Sequence, residues 1–159
     1  MKKIYLLSLL FLTFCSNVEE KSLNTVTVKQ FKEFINATGY ETDAERYGWS
    51  IVQLNVYDYK IVDGATWLRP DGDNLTIDSL PVTQVSYKDA VEYCKWAGVS
   101  LPTYEQYWKL VSSDERLIVS DNKYPISPVE EVNIIGNVWD ITESINSDQV
   151  RLAGGSLFC

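Results

Sequence analysis

The 159-residue sequence contains no histidine. This absence excludes histidine-based catalytic triads, histidine-containing zinc sites and histidine-ligated iron. Positive charge is also scarce, because 14 lysines and arginines stand against 22 acidic residues and the net charge is −8. Such a chain has little with which to neutralise phosphates, so we expect no nucleic acid as a partner. Its many carboxylate oxygens do suit Ca²⁺, which prefers hard oxygen ligands.

Long apolar runs are missing, except for one at residues 4–14 that follows Lys2 and Lys3. This run is too short to span a bilayer as a helix and has the layout of a secretory signal. It ends in "LTFC" before a polar, acidic stretch, which resembles a bacterial lipoprotein signal with Cys15 as the acylated residue, although Phe14 stands where a small residue is usual. Ordinary secretion or an uncleaved anchor is the alternative. We predict a signal peptide at 1–15, a tether at 16–25 and a domain at 26–159.

The predicted location is therefore extracytoplasmic, in the envelope of a bacterial cell. No polybasic patch is present to bind anionic lipid, so we expect membrane attachment through the lipid anchor alone. The sequence does not specify an oligomeric state.

Three segments have the caps and the apolar spacing of amphipathic helices. The predicted caps are Thr27, Ser86 and Thr103, and glycines 39 and 98 end the first two helices. The predicted inward stripes are Val28, Phe31, Phe34 and Ile35; Tyr87, Ala90, Val91, Cys94 and Ala97; and Tyr107, Leu110 and Val111.

Residues 41–80 show no helical period. Within them "SIVQLNVYDYKIV" predicts one or two strands, and "RPDGDN" predicts a turn. Helices and strands do not alternate regularly and no repeat is present, so the pattern predicts an α+β domain. Composition and periodicity alone indicate no function.

The order of five segments resembles a known family. The segments are "VTVKQFKEFINATGYETDAERYGWS", "GATWLRP", "LPVTQVSYKDAVEYCKWAGVSLPT", "IIGNVWDITES" and "RLAGGSLFC". They are similar to the formylglycine-generating enzymes, also called sulfatase-modifying factors. The resemblance implies a C-type-lectin-like fold, rich in loops, with about three short helices and small antiparallel sheets.

The resemblance also implies an oxidase site. In active members a GGSxxC stretch supplies the first of two redox cysteines, which together bind Cu(I) and use O₂ to convert a sulfatase cysteine to formylglycine. Cys159 matches the first cysteine, Ser156 the active-site serine, and Trp139 a tryptophan that lines the pocket. The second cysteine, five residues further on, is not in this sequence. The resemblance therefore implies a domain that is non-catalytic as written, with Cu(I) as a cofactor only if the chain continues past Cys159.

A calcium site is also implied by the resemblance. The family's N-x-x-G-x-x-W-E stretch corresponds to "NIIGNVWD", which offers Asn133, Gly136, Val138 and Asp140 as ligands, with aspartate in place of glutamate. Alternatively, Asn133 and Asp140 only cap a turn. The family's first calcium site is not expected, because the segment before "NIIGNVWD" is shorter than usual.

Three functions stay open at this point. The first is a non-catalytic family member that binds a protein or peptide outside the cytoplasm. The second is a fragment of an active copper-dependent oxidase that acts on a sulfatase-type peptide. The third is a C-type-lectin-like receptor or a structural lipoprotein of the envelope, although a fold alone does not give a function. A family branch that makes sulfur–histidine conjugates needs three histidines as iron ligands and is excluded.

Overall fold

The computed structural model describes residues 23–119, 125–146 and 149–158. Cys15 and Cys159 lie outside these ranges, as do the predicted signal peptide and most of the tether. Among the described residues, no helix is both long enough and apolar enough to cross a bilayer.

The described part of the chain contains four short helices and two two-stranded antiparallel sheets. The helices are α1 (Val28–Thr38), α2 (Asp43–Tyr47), α3 (Tyr87–Ala97) and α4 (Tyr104–Val111). The strands are β1 (Trp49–Gln53), β2 (Tyr59–Asp63), β3 (Asp140–Asn146) and β4 (Gln149–Ala153). This architecture confirms the predicted α+β class with short helices and small antiparallel sheets.

The helix ends confirm the predicted caps. Thr27, Ser86 and Thr103 are the N-caps of α1, α3 and α4, and each forms a capping box with the residue three positions later. Glycines 39 and 98 end α1 and α3 with φ angles of 64° and 70°. These left-handed angles suit glycine, which has no Cβ to clash.

Helix α2 lies within residues 41–80, where the sequence shows no helical period and only strands and a turn were predicted. Its five residues are too few to show a 3.6-residue apolar period, so periodicity could not find it. The local signal was present, since Thr42 and Glu45 form a capping box and Gly48 is the C-cap.

A buried carboxylate joins α2 to α3. Asp89 is 0% exposed and accepts hydrogen bonds from Tyr40 Oη at 2.9 Å, Ser86 N at 2.8 Å and Asp43 N at 3.1 Å. In return, Ser86 Oγ donates to Asp43 Oδ2 at 2.7 Å. Each helix start therefore supplies an acceptor to the other, and the partial positive charge of both N-termini favours the two carboxylates.

The main apolar cluster consists of Val28, Phe31, Phe34, Trp67 and Tyr93. Phe31 lies edge-on to Phe34 and Trp67, with ring centroids 5.3 and 5.5 Å apart. Such aromatic pairs add to the stability gained from burial. This cluster packs α1 against α3 and confirms the predicted inward stripe of α1.

The predicted inward stripe of α3 is wrong in part. Asp89 and Tyr93 are the buried residues of α3, whereas Ala97 is exposed. The other four predicted positions are half-buried, namely Tyr87, Ala90, Val91 and Cys94. The buried face is rotated because Tyr93 packs on Phe31 while Asp89 reaches α2.

Strands β1 and β2 confirm the strands predicted in residues 50–62, and they form a hairpin in which Ile51 faces Ile61. The predicted turn at 69–74 is also present, since Asp71 Oδ1 accepts from the main-chain nitrogens of Asp73 and Asn74 at 3.0 and 2.8 Å. In the second hairpin, β3 pairs with β4. Asp140 lies opposite Ala153, and Ala153 packs with Tyr107 and Val111 of α4.

Candidate functional site

The two segments that carry the predicted site lie side by side. They leave the paired ends of β3 and β4, where Asp140 is opposite Ala153. Beyond this pair, Gly136 N donates to Gly154 O at 3.0 Å, and Leu157 N donates to Asn137 O at 3.3 Å. The fold therefore brings "GNVWD" next to "GGS".

Asn137 anchors this pairing to a third segment. Its side chain is 4% exposed, accepts from Ser127 N at 3.0 Å and donates to Ser127 O at 2.9 Å. Sequence reasoning did not select Asn137. A buried asparagine in a loop with two main-chain partners was not signalled by any local pattern.

Gly154 makes room for a buried hydroxyl–carboxyl pair. Tyr107 Oη donates to Asp140 Oδ2 at 2.8 Å. A Cβ added to Gly154 would lie 2.3 Å from Tyr107 Oη and 3.0 Å from Asp140 Oδ2. Gly154 and Gly155 have φ angles of 84° and 73°, in the left-handed region that favours glycine.

Burial raises the pKa of both groups of this pair. Asp140 is partly exposed as a residue, but its carboxyl group faces the interior, and burial raises its pKa to about 7. Burial, followed by the neighbouring Asp140, also raises the pKa of the Tyr107 phenol. The pair therefore favours the protonated phenol as the donor and the Asp140 carboxylate as the acceptor.

Ser156 is 6% exposed and its hydroxyl is fixed by a distant residue. Ser156 Oγ donates to Gln53 Oε1 at 2.9 Å, and Phe158 N donates to Ser156 Oγ at 3.4 Å. Gln53 ends β1, so this bond ties the first hairpin to the "GGS" turn. Sequence reasoning did not select Gln53, because the two residues lie 103 positions apart.

Trp139 lies at a cavity of about 380 Å³ between α3, α4 and the 134–141 segment. Its side chain is 41% exposed. The cavity wall also includes Cys94, Leu101, Val138 and Ile141, and most of the residues that line it are apolar. Ser156 does not line this cavity, so the structure separates Trp139 and Ser156 into neighbouring features.

Cys94 is the free cysteine among the described residues. It is half-buried on α3 beside the main aromatic cluster, and burial raises the pKa of its thiol. A raised pKa lowers the fraction of reactive thiolate. Cys94 is therefore a packing residue and not an activated nucleophile.

Two of the four predicted calcium ligands, Asn133 and Asp140, make hydrogen bonds to different partners. Asn133 is 2% exposed, its Oδ1 accepts from Ile135 N at 2.8 Å, and its Nδ2 donates to Asp114 O at 2.7 Å. Asp140 instead faces Tyr107. Within the described ranges, no group of three or more acidic, cysteine or histidine side chains could hold a metal. The side chains of Asn133 and Asp140 thus face different partners, whereas Ca²⁺ takes six to eight converging oxygens.

Comparison with known proteins assigns the family. The model of the sulfatase-modifying factor enzyme 1-like domain matches residues 22–127, about two thirds of the chain. The chain belongs to this family. This membership confirms the resemblance that was first seen in the five segments.

Both active and inactive relatives are similar to the chain. The formylglycine-generating enzyme of Thermomonospora curvata is 41% identical over 105 residues, covering 55% of this chain and 34% of that protein. The formylglycine-generating enzyme of Mus musculus is 30% identical over 172 residues, covering 74% and 46%. The inactive C-alpha-formylglycine-generating enzyme 2 of Mus musculus is 38% identical over 171 residues, covering 75% and 56%.

The extent of these matches limits what they imply. The chain spans about a third to a half of the length of these relatives. The two mouse alignments exceed the 159 residues of this chain, so the relatives contain insertions within the aligned region. The family match ends at residue 127, before Asn133, Trp139, Ser156 and Cys159. The roles of these four residues therefore remain proposals.

Proposed function

We propose that the 159-residue chain is a non-catalytic domain of the formylglycine-generating enzyme family that binds a protein or peptide ligand outside the cytoplasm. The single observation that carries this proposal is the state of Cys94. It is half-buried in α3, it has a raised pKa, and it is the thiol available among the described residues. The sequence holds three cysteines, of which Cys15 belongs to the predicted anchor, so Cys159 has no suitable redox partner among them.

Copper-dependent oxidation needs two thiolates that can hold Cu(I) together. A single thiol at Cys159 would not provide this ligand set or a disulfide couple. Similarity to a relative named as inactive is compatible with this proposal, although similarity to named enzymes is of the same order.

The proposed ligand-binding element is the cavity beside Trp139. An indole that is 41% exposed at the edge of a largely apolar cavity can cover an apolar side chain of a peptide. We expect a peptide as the ligand, because an exposed tryptophan offers an apolar peptide side chain a large contact area.

The binding proposal is tested by titrating a cysteine-containing peptide of the sulfatase type and following tryptophan fluorescence. We expect Trp139→Ala to weaken binding by at least about tenfold, which corresponds to loss of a contact worth about 1.4 kcal/mol. Trp96→Ala is the matched control, because Trp96 is 42% exposed and does not line the cavity. Equal affinities of the two variants would contradict the proposed binding surface.

The proposal that the domain is non-catalytic is tested by incubating the same peptide with the chain, Cu(I) and O₂, followed by mass spectrometry. We expect no formylglycine from the chain and clear conversion by the Thermomonospora curvata enzyme as positive control. Formylglycine that disappears in Cys159→Ser would overturn the non-catalytic proposal.

The second candidate function is a fragment of an active oxidase. It is favoured by the 41% identity to the Thermomonospora curvata enzyme, of which this chain covers 34%. Reading the gene downstream of codon 159 tests it. A continuing frame with a cysteine five residues further on supports the oxidase, and restoring those residues in the expressed chain should then restore activity.

We also propose that Cys15 is acylated and anchors the domain to the envelope. The support is the signal-like run at residues 4–14 and the polar, acidic stretch that follows. The full chain is expressed in a bacterial host and partitioned between detergent and water. We expect the detergent phase for the unmodified chain and the aqueous phase for Cys15→Ser, with Cys159→Ser as the control cysteine variant. Aqueous partition of the unmodified chain would contradict the anchor.

A further inference from the structure

Asp114 and Arg116 form an ion pair directly beside the turn that carries Asn133. The guanidinium group donates from Nε to Asp114 Oδ1 at 2.9 Å and from Nη2 to Oδ2 at 2.8 Å. Two parallel bonds fix the geometry of a pair more firmly than one contact does. The Asp114 side chain is 12% exposed, so water screens this pair less than it screens a pair on an open surface.

The pair is connected to the following segment by several hydrogen bonds. Arg116 Nη1 donates to Val129 O at 2.7 Å, and Ile134 N donates to Asp114 Oδ2 at 3.2 Å. Asn133 Nδ2 donates to the main-chain oxygen of Asp114 at 2.7 Å. Both charged side chains therefore contact the main chain of residues 129–134.

Residues 118 and 119 pack closely against Gly136. A Cβ added to Gly136 would lie 2.2 Å from Val119 O and 3.1 Å from Ile118 Cγ2. With a φ angle of 90°, Gly136 allows the turn to press against residues 118–119. Residues 114–119 thus contact the turn at 133–136 at both of its ends.

We propose that the Asp114–Arg116 pair, and not a bound calcium ion, holds the turn at residues 129–136 in place. The family resemblance placed a calcium ligand at Asn133, whose Oδ1 here accepts from Ile135 N and whose Nδ2 donates to Asp114 O. Asp140, the carboxylate of the expected set, faces Tyr107 instead. The guanidinium supplies the local positive charge, and its fork of donors organises carbonyl and carboxylate oxygens as a cation would.

Calcium is tested directly by thermal unfolding of the full chain in millimolar Ca²⁺ and in chelator. An ion that binds only the folded state raises the melting temperature by mass action. We expect the same melting temperature in both conditions. A rise of several degrees in Ca²⁺ that is lost in Asp140→Asn would overturn the proposal.

The ion pair is tested by Arg116→Gln, with Arg46→Gln as the matched control. Arg46 pairs with Asp43 within α2 at similar exposure, but that pair is local to one helix. We expect Arg116→Gln to lower the melting temperature by about 3 °C or more and Arg46→Gln by about 1 °C or less. Equal effects of the two substitutions would contradict the proposal.

A local measurement separates the role of the pair from a general loss of stability. In Arg116→Lys, which keeps the charge but loses the fork, we expect faster amide hydrogen exchange at Ile134 and Ile135 than in the unmodified chain. Exchange in α1 should not change. Unchanged exchange at both isoleucines would overturn the proposal even if Arg116→Gln fails to fold.

Discussion

Ser156 Oγ donates a hydrogen bond to Gln53 Oε1 at 2.9 Å, across 103 positions of sequence. Ser156 is buried, whereas much of the β1–β2 hairpin that carries Gln53 is exposed, including Ile51, Tyr59 and Ile61. The bond therefore connects a largely exposed hairpin to the "GGS" turn of the candidate site.

The first prediction concerns this bond. Gln53→Leu removes the acceptor from a buried hydroxyl, so we expect the free energy of unfolding to fall by about 1 kcal/mol. Gln53→Glu keeps an acceptor and should lose less. Urea denaturation of the two variants measures the difference, and Ser156→Ala should make the two nearly equal. If both variants lose the same stability while Ser156 is intact, the bond has no energetic role.

The second prediction concerns Gly154. Gly154→Ala would place a methyl group 2.3 Å from Tyr107 Oη at a backbone φ of 84°, so we expect a loss of about 2–4 kcal/mol. Gly98→Ala is the matched control, because its φ is 70° and nothing lies within 4 Å of the added methyl. The control should cost about 1–2 kcal/mol from backbone strain alone.

The excess cost at Gly154 should depend on the tyrosine hydroxyl. In a Tyr107→Phe background the clashing oxygen is absent, and we expect Gly154→Ala to cost about 1 kcal/mol less than in the unmodified chain. Additive effects of the two substitutions would show that the steric explanation is wrong.

The sequence predicted a helix correctly where the residues that define its ends and its buried face all lie within one segment. Helix α1 was predicted from end to end because Thr27, the apolar stripe and Gly39 lie within one segment. Helix α2 was missed because five residues show no period, although its capping box was visible. The buried face of α3 was predicted wrongly because it is set by contacts with other helices. Tyr93 packs on Phe31 of α1, and Asp89 accepts a hydrogen bond from Asp43 of α2.

The residues of the candidate site also divide into those predicted from the sequence and those fixed by long-range contacts. The family resemblance selected Trp139 and Ser156, and the structure pairs their segments through Gly136 and Gly154. Gln53, Asn137 and the hydroxyl of Tyr107 were not selected, because each contacts a residue that is distant in sequence. Single-sequence patterns do not encode such contacts, which arise only when the loops are packed.

The third prediction concerns Asp89. Asp89→Ala leaves Tyr40 Oη and two main-chain nitrogens without their acceptor in a buried place, so we expect a loss of about 3 kcal/mol or more. Asp78→Ala removes an exposed partner of Lys32 and should cost less than about 1 kcal/mol. Denaturant unfolding of both variants compares them. A similar small loss in each would mean that the network does not join α2 to α3.

The last prediction concerns the thiol of Cys94 in a chain that also carries Cys15→Ser and Cys159→Ser, so that one thiol remains. Burial raises the pKa of Cys94, which lowers the thiolate fraction at a given pH. We expect alkylation by iodoacetamide at pH 8 to be severalfold slower in the folded chain than in urea. In the unfolded chain the rate should level off above the ordinary thiol pKa of about 8.5, whereas in the folded chain it should still be rising there. A folded-state rate that levels off at lower pH than the unfolded one would show an activated thiol and would remove the main support for the non-catalytic proposal.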